Sequence, residues 1–403
     1  MRRLSVPALV LSLAGLLLPG GSPASASADD FYQPPATLPP GNGDLVWSQP
    51  SEFFLDPLKL VRSPAAVQRI MYRSTDAHGG AMAVTGTVLT PTEPWRGRGE
   101  RPIIGYGVGT QGLGDQCAPS RQLAAGTEYE GAFLSGLLAR GYGVVVTDYQ
   151  GLGTPGVHTY VVRAATGHAM LDGIRAAQRL ESADLPDAGP VALAGYSQGG
   201  GASAAAAELA PTYAPELDVV GAYAGAVPAE LGEVARYLDG GVYAGFLLYA
   251  VNGLASAYPD LDPGSILNDA GDAAIAASQE QCTAETVAAY ALTDSSTLTE
   301  SGEPLEAFLD EEPFASIVAE QRIGERGPTA PTLVIHSALD DVVPYPQGRE
   351  MARSWCREGT KVRFDTSVAP THVGAAVAAF PVAFGWLEAR FAGLPAVNSC
   401  GWF

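Results

Sequence analysis

The chain has 403 residues, which is long enough for one large hydrophobic core with an insertion. Its formal net charge is −20, with 23 lysines and arginines against 43 aspartates and glutamates. So acidic a protein repels polyanions, which argues against a nucleic-acid partner and against electrostatic binding to an anionic membrane.

The first 28 residues have the pattern of a secretory signal peptide. Arg2 and Arg3 are followed by an apolar stretch at 6–18, and Ala-Ser-Ala at 26–28 is a typical cleavage site. Because the apolar stretch is too short to span a bilayer, we expect a secreted, extracellular protein without an integral membrane segment. Export favours disulfides among the four cysteines, but four cysteines allow three pairings and the sequence alone cannot choose.

Residues 29–66 are rich in proline and glycine and predict an N-terminal arm that wraps the core. From 67 to 228, apolar runs alternate with helical patterns, which predicts the first part of an α/β core with a mainly parallel sheet. The predicted strands are 66–74, 81–90, 102–107, 142–147, 190–194 and 219–224, and the predicted helices are 131–140, 166–180 and 200–210.

The most informative motif is Gly-Tyr-Ser-Gln-Gly at 195–199, between a predicted buried strand and a predicted helix. This context is that of a nucleophile elbow, a tight turn that presents a serine hydroxyl at the end of a sheet. Ser197 is therefore the candidate nucleophile. The backbone N–H of Gln198, at the start of the helix, is a candidate donor to the oxyanion.

The loop after the strand at 102–107 is expected to supply the second oxyanion donor, for which Thr110 is the candidate. The glycines of this loop also match G-x-G-x-x-G, a fingerprint of dinucleotide-binding oxidoreductases. That fingerprint needs a helix that opens at Gly112, whereas residues 113–119 have the composition of a loop. An oxidoreductase therefore remains a remote alternative.

Residues 229–326 are helical in pattern, with helices predicted at 241–258, 273–289 and 305–321. A stretch this long without a strand predicts a folded insertion, and its position is that of a helical cap, or lid. Four of its apolar residues are candidates for binding the acyl group, although plain packing of the cap on the core would give the same pattern. These are Tyr243, Phe246, Leu247 and Tyr249.

A serine nucleophile needs a base and an orienting acid, and α/β-hydrolases present them in the order serine, acid, histidine. The second part of the core, 327–403, contains a strand at 332–336 that is followed by Asp340 and Asp341. We prefer Asp340 as the acid and expect Asp341 to be a solvated or helix-capping neighbour. His372, on the loop between a strand at 361–368 and the last helix, is the candidate base.

The motifs together resemble the secretory lipase family of the α/β-hydrolase superfamily. They are the elbow and the Asp340 and His372 segments, with Asp-Tyr-Gln-Gly-Leu-Gly at 148–153, Gly-Ala-Val-Pro at 225–228 and Cys-Ala-Pro-Ser at 117–120. The resemblance implies an α/β-hydrolase fold with an inserted helical cap, acting on carboxylic esters with sizeable acyl groups. It also implies disulfides between Cys117 and Cys282 and between Cys356 and Cys400.

The sequence thus predicts a secreted serine carboxylic-ester hydrolase, a lipase acting on triacylglycerol or related lipid esters through a Ser-Asp-His triad. A secreted serine peptidase or an acyltransferase on the same fold is the main alternative, and a non-catalytic lipid carrier is disfavoured by the ordered triad. Neither an H-E-x-x-H motif nor a paired Cys-x-x-Cys motif occurs, so no metal and no cofactor are expected. We expect a monomer that meets its ester substrate in solution or at a lipid–water interface.

Overall fold

The computed structural model describes residues 30–403, so the predicted signal peptide at 1–28 lies outside the described residues. One nine-stranded sheet organises these residues, in the order β1-β2-β3-β5-β4-β6-β7-β8-β9. The strands are β1 Leu45–Pro50, β2 Ala65–Thr75, β3 Ala81–Pro91, β4 Ile103–Gly107, β5 Gly143–Thr147, β6 Pro190–Tyr196, β7 Asp218–Gly225, β8 Thr332–Ser337 and β9 Val362–Ser367.

The six strands from β5 to β9 in the sheet are parallel, whereas β1, β2 and β3 pair antiparallel at one side. Both β4 and β5 are buried along their whole length, which explains why the parallel strands have apolar runs instead of alternation. Because these strands are parallel, the residues that follow them meet at one edge of the sheet.

Helices cover both faces of the sheet. They are α1 Pro119–Ala125, α2 Gly131–Ala139, α3 Arg163–Arg179, α4 Gln198–Tyr213, α5 Leu231–Leu238, α6 Phe246–Ala257, α7 Asp269–Ser278, α8 Thr283–Tyr290, α9 Phe314–Glu320, α10 Tyr345–Arg357 and α11 His372–Phe391. Helix α3 packs beside α4 on one face, and α2 packs beside α11 on the other, where Phe133 stacks on Phe380. The protein therefore has the α/β-hydrolase fold.

The helical cap lies between β7 and β8 and comprises α5 to α9. Two of its predicted helices are interrupted. The segment predicted at 273–289 forms α7 and α8, because the chain turns at Cys282 to make a backbone bridge with Gly112 of the core. The segment predicted at 305–321 is helical only in short pieces, since Pro313 precedes α9.

Two further differences concern elements that the sequence did not indicate. The predicted N-terminal arm contains strand β1, which extends the sheet by pairing with β2. Helix α10 follows the Asp340 segment, where no helix was predicted. Helix α11 is long and apolar enough to cross a membrane by length and composition, but Phe380, Trp386 and Leu387 place one side of it in the hydrophobic core.

Disulfides link Cys117 to Cys282 and Cys356 to Cys400, the same pairs that the family resemblance implied. The first joins the segment before α1 to the start of α8 in the cap. The second fixes the C-terminal tail to the end of α10. All four cysteines of the chain are thus paired.

Candidate active site

Ser197 lies between β6 and α4 in a strained backbone conformation, with φ 62° and ψ −124°. This conformation is rare for a residue with a Cβ and is typical of a nucleophile elbow. The neighbouring glycines allow it, since a Cβ on Gly199 would overlap the carbonyl of Gly107 and one on Gly195 would overlap the carbonyl of Gly199. The elbow therefore requires glycine at both positions, and it leaves Ser197 only half-buried.

His372 and Asp340 form a buried hydrogen-bonded pair. The Nδ1 atom of His372 lies 2.9 Å and 2.8 Å from the two carboxylate oxygens of Asp340. Burial alone would raise the pKa of Asp340, but the hydrogen bond and charge of His372 and the amides of Val343 and Val342 outweigh it and lower the pKa below its usual range. Asp340 is thus held as a carboxylate that orients the imidazole.

The structure brings His372 to the cavity that contains Ser197. His372 is the first residue of α11 rather than part of the preceding loop. Its Nε2 atom is buried and has no hydrogen-bond partner within residues 30–403, so Ser197 and His372 are not hydrogen-bonded in this structure. Catalytic hydrogen bonds are often long without substrate and tighten in the complex.

The neighbouring carboxylate, Asp341, has a different position. Its side chain is exposed and accepts a hydrogen bond of 2.7 Å from the backbone N–H of His372. It therefore binds the first turn of α11 and not the imidazole ring. Tyr196 holds the same residue from the sheet side, because its hydroxyl donates to the His372 carbonyl at 3.0 Å.

The two candidate oxyanion donors each line a cavity that contains Ser197. Gln198 is the first residue of α4, and the first amides of a helix have no intrahelical acceptor. Thr110 is buried in the wall of the same cavity as Ser197, and its hydroxyl is hydrogen-bonded to that of Tyr160 at 2.7 Å. The carbonyl of Thr110 accepts from the hydroxyl of Thr283, which ties this loop to the cap.

Two buried carboxyl groups flank Thr110. Glu130 accepts a hydrogen bond from the N–H of Gly109 at 2.6 Å and another from the hydroxyl of Tyr106. Glu128 accepts from the side chain of Gln111 at 3.2 Å. Burial raises the pKa of Glu128 to about 8 and that of Glu130 to about 7. This pair could not be found from the sequence, because aspartate and glutamate side chains are usually solvated.

A buried histidine that the sequence did not single out holds the side chain of Gln198. His158 Nδ1 lies 2.9 Å from the carbonyl of Gln150, and its Nε2 lies 2.8 Å from the Gln198 amide nitrogen. Burial lowers the pKa of His158 to about 4, so the ring is neutral at pH 7. A neutral ring with its proton on Nδ1 accepts at Nε2, which fixes the first residue of α4.

The structure shows why the last glycine of the match to the dinucleotide fingerprint, Gly112, is a glycine. Its φ is 121°, and a Cβ there would overlap the carbonyl of Gln281 in the cap. No α-helix opens at this glycine, since the next one, α1, begins at Pro119. The glycine is therefore needed for the close approach of the cap, and the loop lacks the helix N-terminus that a dinucleotide site requires.

Two apolar cavities meet at Ser197. The larger has a volume of about 370 Å³ and lies between α2, α11 and the cap. The smaller has about 50 Å³ and lies beneath α5 and α6. Among the candidate acyl-binding residues, Tyr243 lines the larger cavity, Leu247 the smaller and Phe246 both. Tyr249 lines neither, because it packs inside the cap and donates its hydroxyl to Thr286.

Comparisons with known proteins show what the chain is similar to. The model of the secretory lipase family matches residues 118–399. A probable inactive lipase of Mycobacterium tuberculosis is 31% identical over 390 residues, which cover 93% of this chain and 84% of that protein. A secreted triacylglycerol lipase of Malassezia globosa is 28% identical over 389 residues, which cover 92% of this chain and 81% of that protein.

Among solved structures, Candida antarctica lipase A in its closed state superposes with a TM-score of 0.79 at 26% sequence identity. The match covers 93% of this chain and 88% of that one. Sequence and structure thus agree over nearly the whole length. The chain belongs to the secretory lipase family, a family of carboxylic ester hydrolases that includes named lipases and is built on the α/β-hydrolase fold.

Proposed function

We propose that the protein is a secreted lipase that hydrolyses apolar carboxylic esters through a Ser197-Asp340-His372 triad. The observation that carries this proposal is the buried Asp340–His372 pair in the same site as Ser197 on a strained elbow. A triacylglycerol or a related lipid ester is the substrate class that the apolar cavity walls favour. Secretion is supported by the signal-like sequence at 1–28 and by the two disulfides.

The chemistry follows from the positions of these groups. The Ser197 hydroxyl attacks the ester carbonyl while His372 Nε2 takes its proton, and the N–H groups of Gln198 and Thr110 stabilise the oxyanion. The bond to the alcohol then breaks, and His372 returns the proton to the leaving alcohol oxygen. Water, deprotonated by His372, attacks the acyl-enzyme. The bond between the acyl carbon and the Ser197 oxygen then breaks, His372 returns the proton to that oxygen, and the acid product leaves.

The first test is the loss of activity on removal of the nucleophile. Ser197→Ala should lower kcat on p-nitrophenyl esters about a million-fold, as in enzymes whose triad serine is removed. A serine-reactive phosphonate should label wild type at Ser197, as read by peptide mass spectrometry. Because one relative is a probable inactive lipase, this assay also decides whether the present chain is active. Labelling at another residue, with an active alanine variant, would contradict the proposed nucleophile.

Two matched variants test which carboxylate, Asp340 or Asp341, is the acid of the triad. Asp340→Asn should lower kcat about 10⁴-fold, because the amide has no charge to stabilise the imidazolium and its NH₂ group, placed against Nδ1, imposes the wrong tautomer on His372. Asp341→Asn keeps an oxygen that can accept the His372 backbone N–H, so its effect should be far smaller. The reverse ranking would show that the acid was chosen wrongly.

A peptidase and an acyltransferase would use the same triad, so the substrate panel must separate them. We expect hydrolysis of emulsified tributyrin and of p-nitrophenyl esters, and no cleavage of aminoacyl anilides. Transfer to an added alcohol in preference to water would favour the acyltransferase. Cleavage of anilides with little ester hydrolysis would favour the peptidase.

A further inference from the structure

We infer that the protein selects esters that combine a short acyl group with a large apolar alcohol. This inference rests on the proposed function and narrows its substrate class. It starts from the two cavities that meet at Ser197, one of about 370 Å³ and one of about 50 Å³. Phe246 and Val342 line both and form the partition between them.

The triad determines which half of the ester enters each cavity. In the tetrahedral intermediate, the oxyanion points to its amide donors, and the alcohol oxygen must reach His372 Nε2 to receive a proton. His372 lines only the larger cavity, so we call that cavity the alcohol compartment. The acyl chain is attached to the same carbon and points away from both the oxyanion donors and His372. The smaller cavity, which has Gln198 in its wall, is the acyl compartment.

The two compartments differ greatly in size. A water-sized group needs roughly 10–15 Å³ of cavity volume, so the acyl compartment holds about four heavy atoms and the alcohol compartment about thirty. Four heavy atoms correspond to an acyl chain of a few carbons. The larger volume suits a long or polycyclic alcohol, or the diacylglycerol half of a short-chain triacylglycerol.

The residues that line the two compartments explain the size and the apolar character of each. The alcohol compartment lies between Phe133 of α2, Ala376 and Phe380 of α11, and Tyr243 of the cap. The acyl compartment is closed by Leu231 and Val234 of α5 with Leu247 of α6. On this assignment Tyr243 contacts the alcohol half of the ester, not the acyl half that the sequence suggested.

Two isomeric esters test the assignment directly. Octyl acetate and ethyl octanoate have the same composition and differ only in which side of the ester group carries the long chain. Both are used as dissolved monomers, with ethyl acetate as the reference ester. We expect kcat/KM for octyl acetate to exceed that for ethyl octanoate at least about tenfold, because each buried methylene contributes roughly a fourfold gain.

Substitutions in the walls of the alcohol and acyl compartments should change the ratio of kcat/KM for octyl acetate to kcat/KM for ethyl octanoate. Val377 and Val382 are both exposed on α11, but only Val377 lines the alcohol compartment. Val377→Trp should therefore lower the octyl acetate to ethyl octanoate ratio at least about fivefold, by excluding methylenes from that compartment. Val382→Trp is the control and should leave the ratio unchanged. Val234→Ala enlarges the acyl compartment and should raise kcat/KM for ethyl octanoate.

The outcomes separate this inference from the proposed function. An equal or reversed preference between the isomers, or a Val377→Trp ratio equal to that of wild type, would overturn the compartment assignment while ester hydrolysis stands. If wild type hydrolyses neither isomer nor ethyl acetate, the proposed function fails and this inference fails with it.

Discussion

Glu128 and Glu130 bind donors on the two sides of Thr110, and both are buried. Their raised pKa values, about 8 and about 7, have burial as the main cause and give stability a definite pH dependence. Between about pH 5 and pH 8 the folded protein retains protons that the unfolded chain has released. This contribution to stability is therefore fully present at low pH and is lost as the pH rises through the folded-state pKa values.

Glu128→Gln removes one of these titrations while keeping the side-chain shape. We expect its free energy of unfolding, relative to wild type, to rise by about 1.4 kcal/mol for each pH unit between about 5 and 8. The physical reason is that a neutral amide has no charge to desolvate, whereas the Oε2 atom of Glu128 is buried without a hydrogen-bond partner within residues 30–403. Urea unfolding at several pH values measures this difference.

The control for this experiment is Glu100→Gln, which removes the same charge from an exposed position. Its difference from wild type should not grow over this pH range. If the Glu128→Gln difference is also constant with pH, Glu128 does not titrate in this range and the role assigned to its burial is wrong.

At the scale of elements, the junction of β6 and α4 depends on close backbone contacts. Gly199→Ala places a methyl group against the carbonyl of Gly107, in the neighbouring strand β4. The strand and helix cannot separate without breaking the sheet, so we expect a loss of about 1–3 kcal/mol in stability and a loss of activity. Thermal unfolding and ester hydrolysis measure the two effects.

Gly385→Ala is the matched control, because a Cβ at Gly385 of α11 would meet no heavy atom within 4 Å. Alanine is favoured over glycine inside a helix, so this variant should gain about 0.5–1 kcal/mol in stability and keep full activity. Equal effects of the two substitutions would show that the contact at Gly199 is unimportant.

The elements of the core could be predicted from the sequence because their signals are local. Buried parallel strands such as β5 have continuous apolar runs, and the elbow has its own glycine pattern. The cap was predicted less well. The break between α7 and α8 depends on the bridge between Cys282 and Gly112, which are distant in sequence.

The site shows the same division between local and tertiary signals. Ser197, Asp340 and His372 could be selected from motif and chain order, and the structure places them at one site. Glu130 and His158 could not, because what makes them notable is the burial of a polar side chain, and burial is decided by tertiary packing. Tyr249 shows the converse, since its apolar pattern is the same for a cavity wall and for cap packing.

At the scale of the whole molecule, the two disulfides join different parts of the fold. Cys117–Cys282 crosses from the core to the cap beside the loop at 108–112, the oxyanion loop, which carries the proposed oxyanion donor Thr110. There the N–H of Thr283 also donates to the carbonyl of Gln111 at 3.0 Å. Cys356–Cys400 connects α10 to the C-terminal tail, apart from both cavities at Ser197. We therefore expect the first to affect both stability and the geometry of the site, and the second to affect stability alone.

Paired serine substitutions should separate these effects. Cys356→Ser with Cys400→Ser opens a loop of 44 residues and should lower the free energy of unfolding by up to about 4 kcal/mol, with kcat unchanged at 25 °C. Cys117→Ser with Cys282→Ser opens a separation of 165 residues and should cost up to about 5 kcal/mol. It should also lower kcat about 10- to 100-fold, because small shifts of the oxyanion loop misplace the Thr110 amide. Chemical unfolding and hydrolysis of p-nitrophenyl acetate, both at a temperature where each variant is folded, measure these changes. An equal kcat for the two double variants would show that the link between core and cap does not position the oxyanion loop.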